Sequence, residues 1–229
     1  MKSILFNSAF IAIPALSLSA NVFAAEEVKE TSIDLSNITA YRAANTPVNY
    51  SYISLSAGKN DYENYNQAAT TLGVRGQALL NERFIFKMGY ETTLLDKDNS
   101  GNDLSYQSSG FDMGFGLRQA ISKSTDIELD ARIIYNWSDN DSTGESVDDL
   151  GYRVGAYFNQ GIGDSFEGTL GVTYTSEYSQ ESVNFMLSIT QYVTEYVGVG
   201  LNGRFGSGAD DGFSGDQAYV GAHVRLAFY

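Results

Sequence analysis

FIFKMGYETTLL, residues 84–95, changes character at every step. Phe84, Phe86, Met88, Tyr90, Thr92 and Leu94 fall on one side of an extended chain. Ile85, Lys87, Gly89, Glu91 and Thr93 fall on the other. Successive side chains of a strand point to opposite faces, so this period of two describes a strand with an apolar face and a polar or small one. The pattern recurs. Phe111, Met113, Phe115 and Leu117 oppose Asp112, Gly114, Gly116 and Arg118. Ile127, Leu129, Ala131, Ile133 and Tyr135 oppose Glu128, Asp130, Arg132 and Asn136. Near the end, Val220, Ala222, Val224, Leu226 and Phe228 oppose Gly221, His223, Arg225 and Ala227. Ten such segments are expected, over 49–58, 68–80, 83–95, 108–121, 125–137, 148–160, 164–177, 183–191, 195–206 and 217–229. Each is a weak signal, and the strength lies in the repetition.

The links separate a membrane barrel from a soluble sandwich. Links 81–82, 122–124, 161–163 and 192–194 are short. They alternate with links 59–67, 96–107, 138–147, 178–182 and 207–216, which are mostly longer. An up-and-down barrel in the outer membrane has short periplasmic turns and longer external loops. Charge follows the same division. The whole chain carries −14, and −13 lies in the five longer links and their edges. Aromatic rings also sit at both ends of the segments, where an amphipathic ring is most stable. Tyr90, Phe111, Tyr135, Trp137, Tyr152 and Tyr174 lie near the longer links, and Phe84, Phe158, Phe166, Tyr196, Phe228 and Tyr229 near the shorter ones.

The start of the chain reads differently. Lys2, an apolar run from Ile4 to Leu18, and Val22-Phe23-Ala24 make residues 1–24 a signal peptide cut after Ala24. Residues 25–47 have no clear period and are expected to be a periplasmic leader or a plug. Residues 48–229 are expected to form the barrel. The rest of the chain has no other long apolar run, so no helix in it spans a bilayer. There is no Cys, which excludes disulfides and thiolate metal sites.

Closure has a physical reason: every backbone N–H and C=O in hydrocarbon needs a partner, and only a closed sheet lacks an edge. The expected fold is therefore all-β, a closed antiparallel up-and-down transmembrane barrel of about ten strands, with eight as the alternative count. The C-terminal stretch QAYVGAHVRLAFY alternates apolar residues and ends in aromatics. Here the chain resembles the small outer-membrane β-barrel proteins of Gram-negative bacteria, porin-like or OmpA-like, over residues 48–229. The resemblance implies an outer-membrane location reached by a cleaved signal peptide. It implies outer-membrane lipid, lipopolysaccharide and the outer-membrane assembly machinery as partners. It also makes Val224, Leu226, Phe228 and Tyr229 an assembly signal, with the register shifted by one because Tyr229 follows Phe228.

The inward face carries Arg75, Lys87, Arg118, Arg132, Arg153, Arg204 and Arg225 against Glu91, Asp112, Glu128, Asp130 and Glu167. Charges in a narrow barrel must be paired or hydrated. They form either an ion-pair network that fills the barrel or a charged pore lining. The small cationic excess predicts a weak anion preference. Nine inward glycines, Gly155, Gly171 and Gly200 among them, either seat long side chains or line a gap.

Two links resemble calcium loops, DKDNSGND with Asp96 and Asp98, and DNDSTGE with Asp139 and Asp141. Their twelfth positions, Gln107 and Leu150, lack the bidentate Glu, and Asp, Asn, Ser and Gly also simply make turns. No cofactor is expected. His223 is the lone His and faces inward without a recognisable Ser or Asp constellation, so no enzyme is expected. So acidic an outer face does not suit nucleic acid. The functional expectation is a narrow porin-like channel or structural envelope protein. The alternative is a surface adhesin or interaction protein acting through acidic loops that hold Tyr62, Tyr65, Tyr106, Tyr178 and Phe213.

Overall fold

A computed structural model describes residues 48–62, 68–97, 103–140, 144–177, 180–208 and 216–228. The expected signal peptide, residues 1–24, and the expected leader or plug, 25–47, lie outside these residues. The alternating segments form ten strands: β1 (Tyr52–Tyr62), β2 (Ala69–Leu79), β3 (Phe84–Lys97), β4 (Asp103–Ala120), β5 (Thr125–Asn140), β6 (Glu145–Ile162), β7 (Phe166–Glu177), β8 (Gln180–Tyr192), β9 (Val197–Gly208) and β10 (Gln217–Ala227). Each pairs antiparallel with its sequence neighbours. β1 also pairs with β10, from Tyr52↔Ala227 to Tyr62↔Gln217, and so closes the barrel. The short eighth segment, expected over 183–191, is a full strand over Gln180–Tyr192, so the count is ten.

The two faces divide by polarity. Outward lie Ile53, Leu55, Phe115, Leu129, Ile133, Leu170, Phe185, Leu201 and Val220, all exposed. Inward lie buried Lys87, Asp112, Arg118, Glu128, Asp130, Arg132, Glu167, His223 and Arg225. This inverts a soluble protein, and the inversion is stable only if the solvent around the barrel is hydrocarbon. Aromatic contacts mark the long-link end of this exterior. Trp137 lies between Tyr90 at 6.0 Å and Tyr135 at 5.7 Å, and Tyr152 meets Tyr174 at 6.1 Å.

The short turns are held by side chains. Asn81 Oδ1 accepts the backbone N–H groups of Arg83 and Phe84, both at 2.9 Å. Thr194 Oγ1 accepts those of Tyr196 at 3.2 Å and Val197 at 3.0 Å. Such local acceptors fix a turn without help from the rest of the fold. Gly163 takes the left-handed conformation, φ 60°, in the turn between β6 and β7.

Two stretches differ from the alternation. Most of the links 96–107 and 138–147 is strand: β4 already starts at Asp103 and β5 runs to Asn140. Ladder hydrogen bonds are as useful beyond the bilayer as within it, and polar side chains cost nothing there. At the other end, β1 starts at Tyr52, not Asn49. Residues 48–51 leave the wall.

Candidate functional site: the lumen

All twelve charged residues expected inside make ion pairs. One chain of pairs runs along β3 to β6. Lys87 on β3 binds Glu128 and Asp130 of β5, the latter at 2.9 Å. Arg132 binds Asp130 at 2.7 Å and Asp112 of β4 at 2.9 Å. Arg153 on β6 approaches Asp112 at 3.8 Å. A second group spans the lumen: Glu91 on β3 takes Arg75 of β2 at 3.3 Å and Arg204 of β9 at 3.1 Å. Below it, Arg225 of β10 reaches Glu167 of β7 at 2.5 Å. Nearest the short turns, Arg118 forks onto Asp126 at 2.8 and 3.1 Å.

Asp126 is absent from the sequence-derived set. It lies next to the turn 122–124, yet its side chain is fully buried inside the lumen. Tyrosines were missed as well, because aromatics were expected outside. Lys87 lies over the Tyr157 ring at 4.6 Å, Arg118 over Tyr50 at 4.9 Å, Arg204 over Tyr219 at 5.5 Å and Arg225 over Tyr52 at 4.0 Å. A ring face attracts a cation most strongly when both are desolvated. Arg132 also donates to the Tyr157 hydroxyl at 2.9 Å.

Inward glycines seat these rings. A Cβ at Gly155 would fall 2.5 Å from the Tyr157 hydroxyl, and one at Gly171 would fall 2.5 Å from the same ring. The space beside them is occupied. His223 is buried, at 2.9 Å from Thr190 Oγ1, and lies over Gly200.

Space remains along the axis in two places. A cavity of about 460 Å³ occupies the long-link half. Another of about 140 Å³ occupies the short-turn half. Arg75, Glu91, Arg132, Tyr157, Met186 and Arg204 line both and mark the level where they meet. Glu177 and Glu181 line the outer cavity. With Asp126 they raise the five acids of the sequence reading to eight, against seven bases, so the cationic excess behind the expected anion preference does not hold.

Residues 48–51 cross the lumen at the short-turn end. Phe228 N–H donates to Ser51 O at 3.0 Å, which keeps Ser51 at the wall. Asn49 N–H then donates to Glu167 Oε2 at 3.0 Å. The Tyr50 hydroxyl donates to Asp126 Oδ2 at 3.0 Å and accepts from Asn159 Nδ2 at 3.2 Å. Val48 and Tyr50 pack on Ile85. These partners sit on β3, β5, β6 and β7, up to the far side of the ring from β1.

Other expected residues fall elsewhere. Val224, Leu226 and Phe228 face outward and are exposed; Tyr229 lies outside the described residues. So do Asp98 and Asp141, while Asp139 is exposed at the end of β5. Tyr62 and Tyr106 are not loop-tip residues. They pack with Ala69 and Leu95 inside the long-link end.

No protein-family model matches the chain, and no curated protein sequence does. Solved structures do resemble it. The NanC porin is 11% identical with a TM-score of 0.45, covering 77% of this chain and 100% of that one. The beta domain of the Bordetella autotransporter BrkA is 12% identical with a TM-score of 0.46, covering 78% and 99%. The Neisserial surface protein A is 13% identical with a TM-score of 0.43, covering 78% and 96%. Likenesses this distant carry nothing about function. With its closed ring of ten antiparallel strands, apolar exterior and ion-paired interior, the chain has the architecture of a membrane-spanning β-barrel.

Proposed function

We propose that the protein is a narrow porin-like channel for small polar solutes, exported with cleavage after Ala24. The observation that supports this reading is the pair of cavities in series along the barrel axis, lined by charged as well as apolar side chains and meeting at the Arg75–Glu91–Arg204 level. A barrel kept only as a structural element has no need of such space. About ten strands stand near the closed end of the size range, so the passage is small. Arg204 Nε and Asn202 Oδ1 are buried beside the inner cavity without a protein partner. Such groups favour a hydroxylated or hydrated solute over an apolar one.

The experiment is reversal potential across a salt gradient, with purified protein in a planar bilayer. Small discrete steps are expected. Glu91→Gln leaves Arg75 and Arg204 without their shared carboxylate and shifts selectivity toward anions. Arg153→Gln shifts it toward cations. Silence from the inserted, folded native chain, and from a variant whose short-turn end has been cleared, refutes the channel. It would favour action through the external links.

A further inference from the structure

The geometry points to a removable stopper: residues 48–51 form a strap that closes the short-turn end of the lumen, and Tyr50 is its latch. Its gating role rests on the channel reading above; the closure itself does not.

Three observations carry it. First, the strap departs from the strand it precedes. Continued alternation would have placed Asn49 and Ser51 in the β1 ladder, and instead the chain turns inward at Ser51. Asn49 Oδ1 accepts Ser51 N–H at 2.9 Å, a local bond that shapes the turn. Second, the strap ends in a built seat on the opposite wall. Tyr50 sits under the Arg118 guanidinium, against Ile85, with its hydroxyl between Asp126 and Asn159. Asn159 is itself fixed by Thr169 at 2.8 Å. Both polar roles of the hydroxyl are used, so the seat fits Tyr and not merely an aromatic. Third, the strap is joined to the wall by few bonds compared with a strand. β1 holds β2 and β10 by full ladders. Ser51 stays tied to the wall, its carbonyl accepting Phe228 N–H at 3.0 Å and its hydroxyl accepting Leu79 N–H at 3.1 Å; beyond it the bonds of the strap include those of the Asn49 amide and the Tyr50 hydroxyl, with packing on Ile85. Residues 48–50 can leave while Ser51 stays tied and the barrel stays closed on itself, because the strand-to-strand ladders are complete without them.

Wall and strap therefore separate energetically, which makes the stopper testable on the intact mature chain. The variants are Tyr50→Ala and Tyr50→Phe. The Phe variant keeps the ring beneath Arg118 and loses the hydroxyl bonds. Each is also made with Ser188→Cys, which puts one thiol on the wall of the inner cavity in a chain that has no Cys. Folding is checked by the heat-dependent shift in gel mobility. A charged methanethiosulfonate is then applied in detergent micelles, where both barrel ends meet water.

In the native background the thiol should react slowly. Tyr50→Phe should raise the rate about tenfold or more, as loss of two hydrogen bonds of ordinary net strength implies, and Tyr50→Ala, which also loses the ring beneath Arg118, should raise it further. In planar bilayers Tyr50→Ala should turn rare brief steps into frequent or sustained ones. Equal thiol rates and equal conductance in all three chains would overturn the stopper and leave the channel standing. A faster thiol reaction with every bilayer silent would uphold the stopper and overturn the channel.

Discussion

Asp126→Ala is the most informative single change to the barrel. The carboxylate is 0% exposed and the Arg118 side chain 1% exposed. Their fork at 2.8 and 3.1 Å is the guanidinium's carboxylate contact. Removing the carboxylate takes the fork away from a buried cation, whose other contacts include the Glu82 carbonyl at 3.3 Å and the Tyr50 ring. Breaking a buried pair in this way costs about 3–5 kcal/mol. The Tyr50 hydroxyl also loses its acceptor, worth about 1 kcal/mol. Contrast Arg75→Ala. Arg75 and Glu91 are 33% and 31% exposed, and Glu91 keeps Arg204; half-exposed pairs of this kind are worth about 0.2–1 kcal/mol. Replacing both partners, as Arg118→Met with Asp126→Leu, removes the stranded charge. It should restore most of the loss, since apolar replacements of buried pairs are often neutral or better, leaving the roughly 1 kcal/mol owed to Tyr50. Urea unfolding in lipid vesicles reads all four chains, with Trp137, the single Trp, as the probe at the long-link end of the exterior. A cost for Asp126→Ala no larger than that for Arg75→Ala would refute the reasoning. So would a double variant less stable than the single one.

Other expectations follow from the same geometry. Leu129→Arg, on an exposed outward position about midway across, should cost roughly 2–4 kcal/mol in the same unfolding assay; a negligible cost would mean the exterior is not in hydrocarbon. Asp130→Asn leaves Lys87 and Arg132 short of a shared carboxylate and should cost a comparable amount, which the same titration checks. Cys at Ser146 should react with an impermeant maleimide on whole cells, while Cys at Ser122 should react only after the outer membrane is broken; the reverse pattern would invert the orientation.

The barrel was legible because period two, repeated ten times, is a direct image of a sheet with lipid on one side. What alternation could not show is what each inward side chain touches. Asp130 illustrates this. Pattern alone makes it one polar residue among several and its neutralisation mild, whereas the structure makes it the carboxylate between two buried cations. Asp126 was hidden by its place beside a turn, where an acid usually means only solvent. Tyr157 was hidden by the habit of aromatics at interfaces; the signal that could have found it is the inward glycines Gly155 and Gly171, which need something to cover them. The strap does leave a trace in the sequence, a reversal of phase: Val48 and Tyr50 are apolar in step with inward Tyr52, Ser54 and Ser56, whereas the outward apolar residues of β1 are Ile53, Leu55 and Ala57. Pro47, just before the strap, is the one residue in that stretch unsuited to a central strand.

The seam between β1 and β10 has a consequence for how the molecule is made. Tyr52 pairs with Ala227, so the beginning and end of the barrel are neighbours in space and far apart in time. No ring exists until the last strand has arrived, and closure waits on the longest-range contact the chain offers, a slow step for any sheet. Yet once the ring is shut nothing distinguishes this seam from the hairpin-joined pairs. Ser51 and Phe228 already share a hydrogen bond at the short-turn end. A short peptide joining them, with the chain cut instead between β5 and β6, would move the ends to the long-link end and keep every ladder. Which strand is first is a fact about synthesis, and the ladders of the finished barrel carry no record of it.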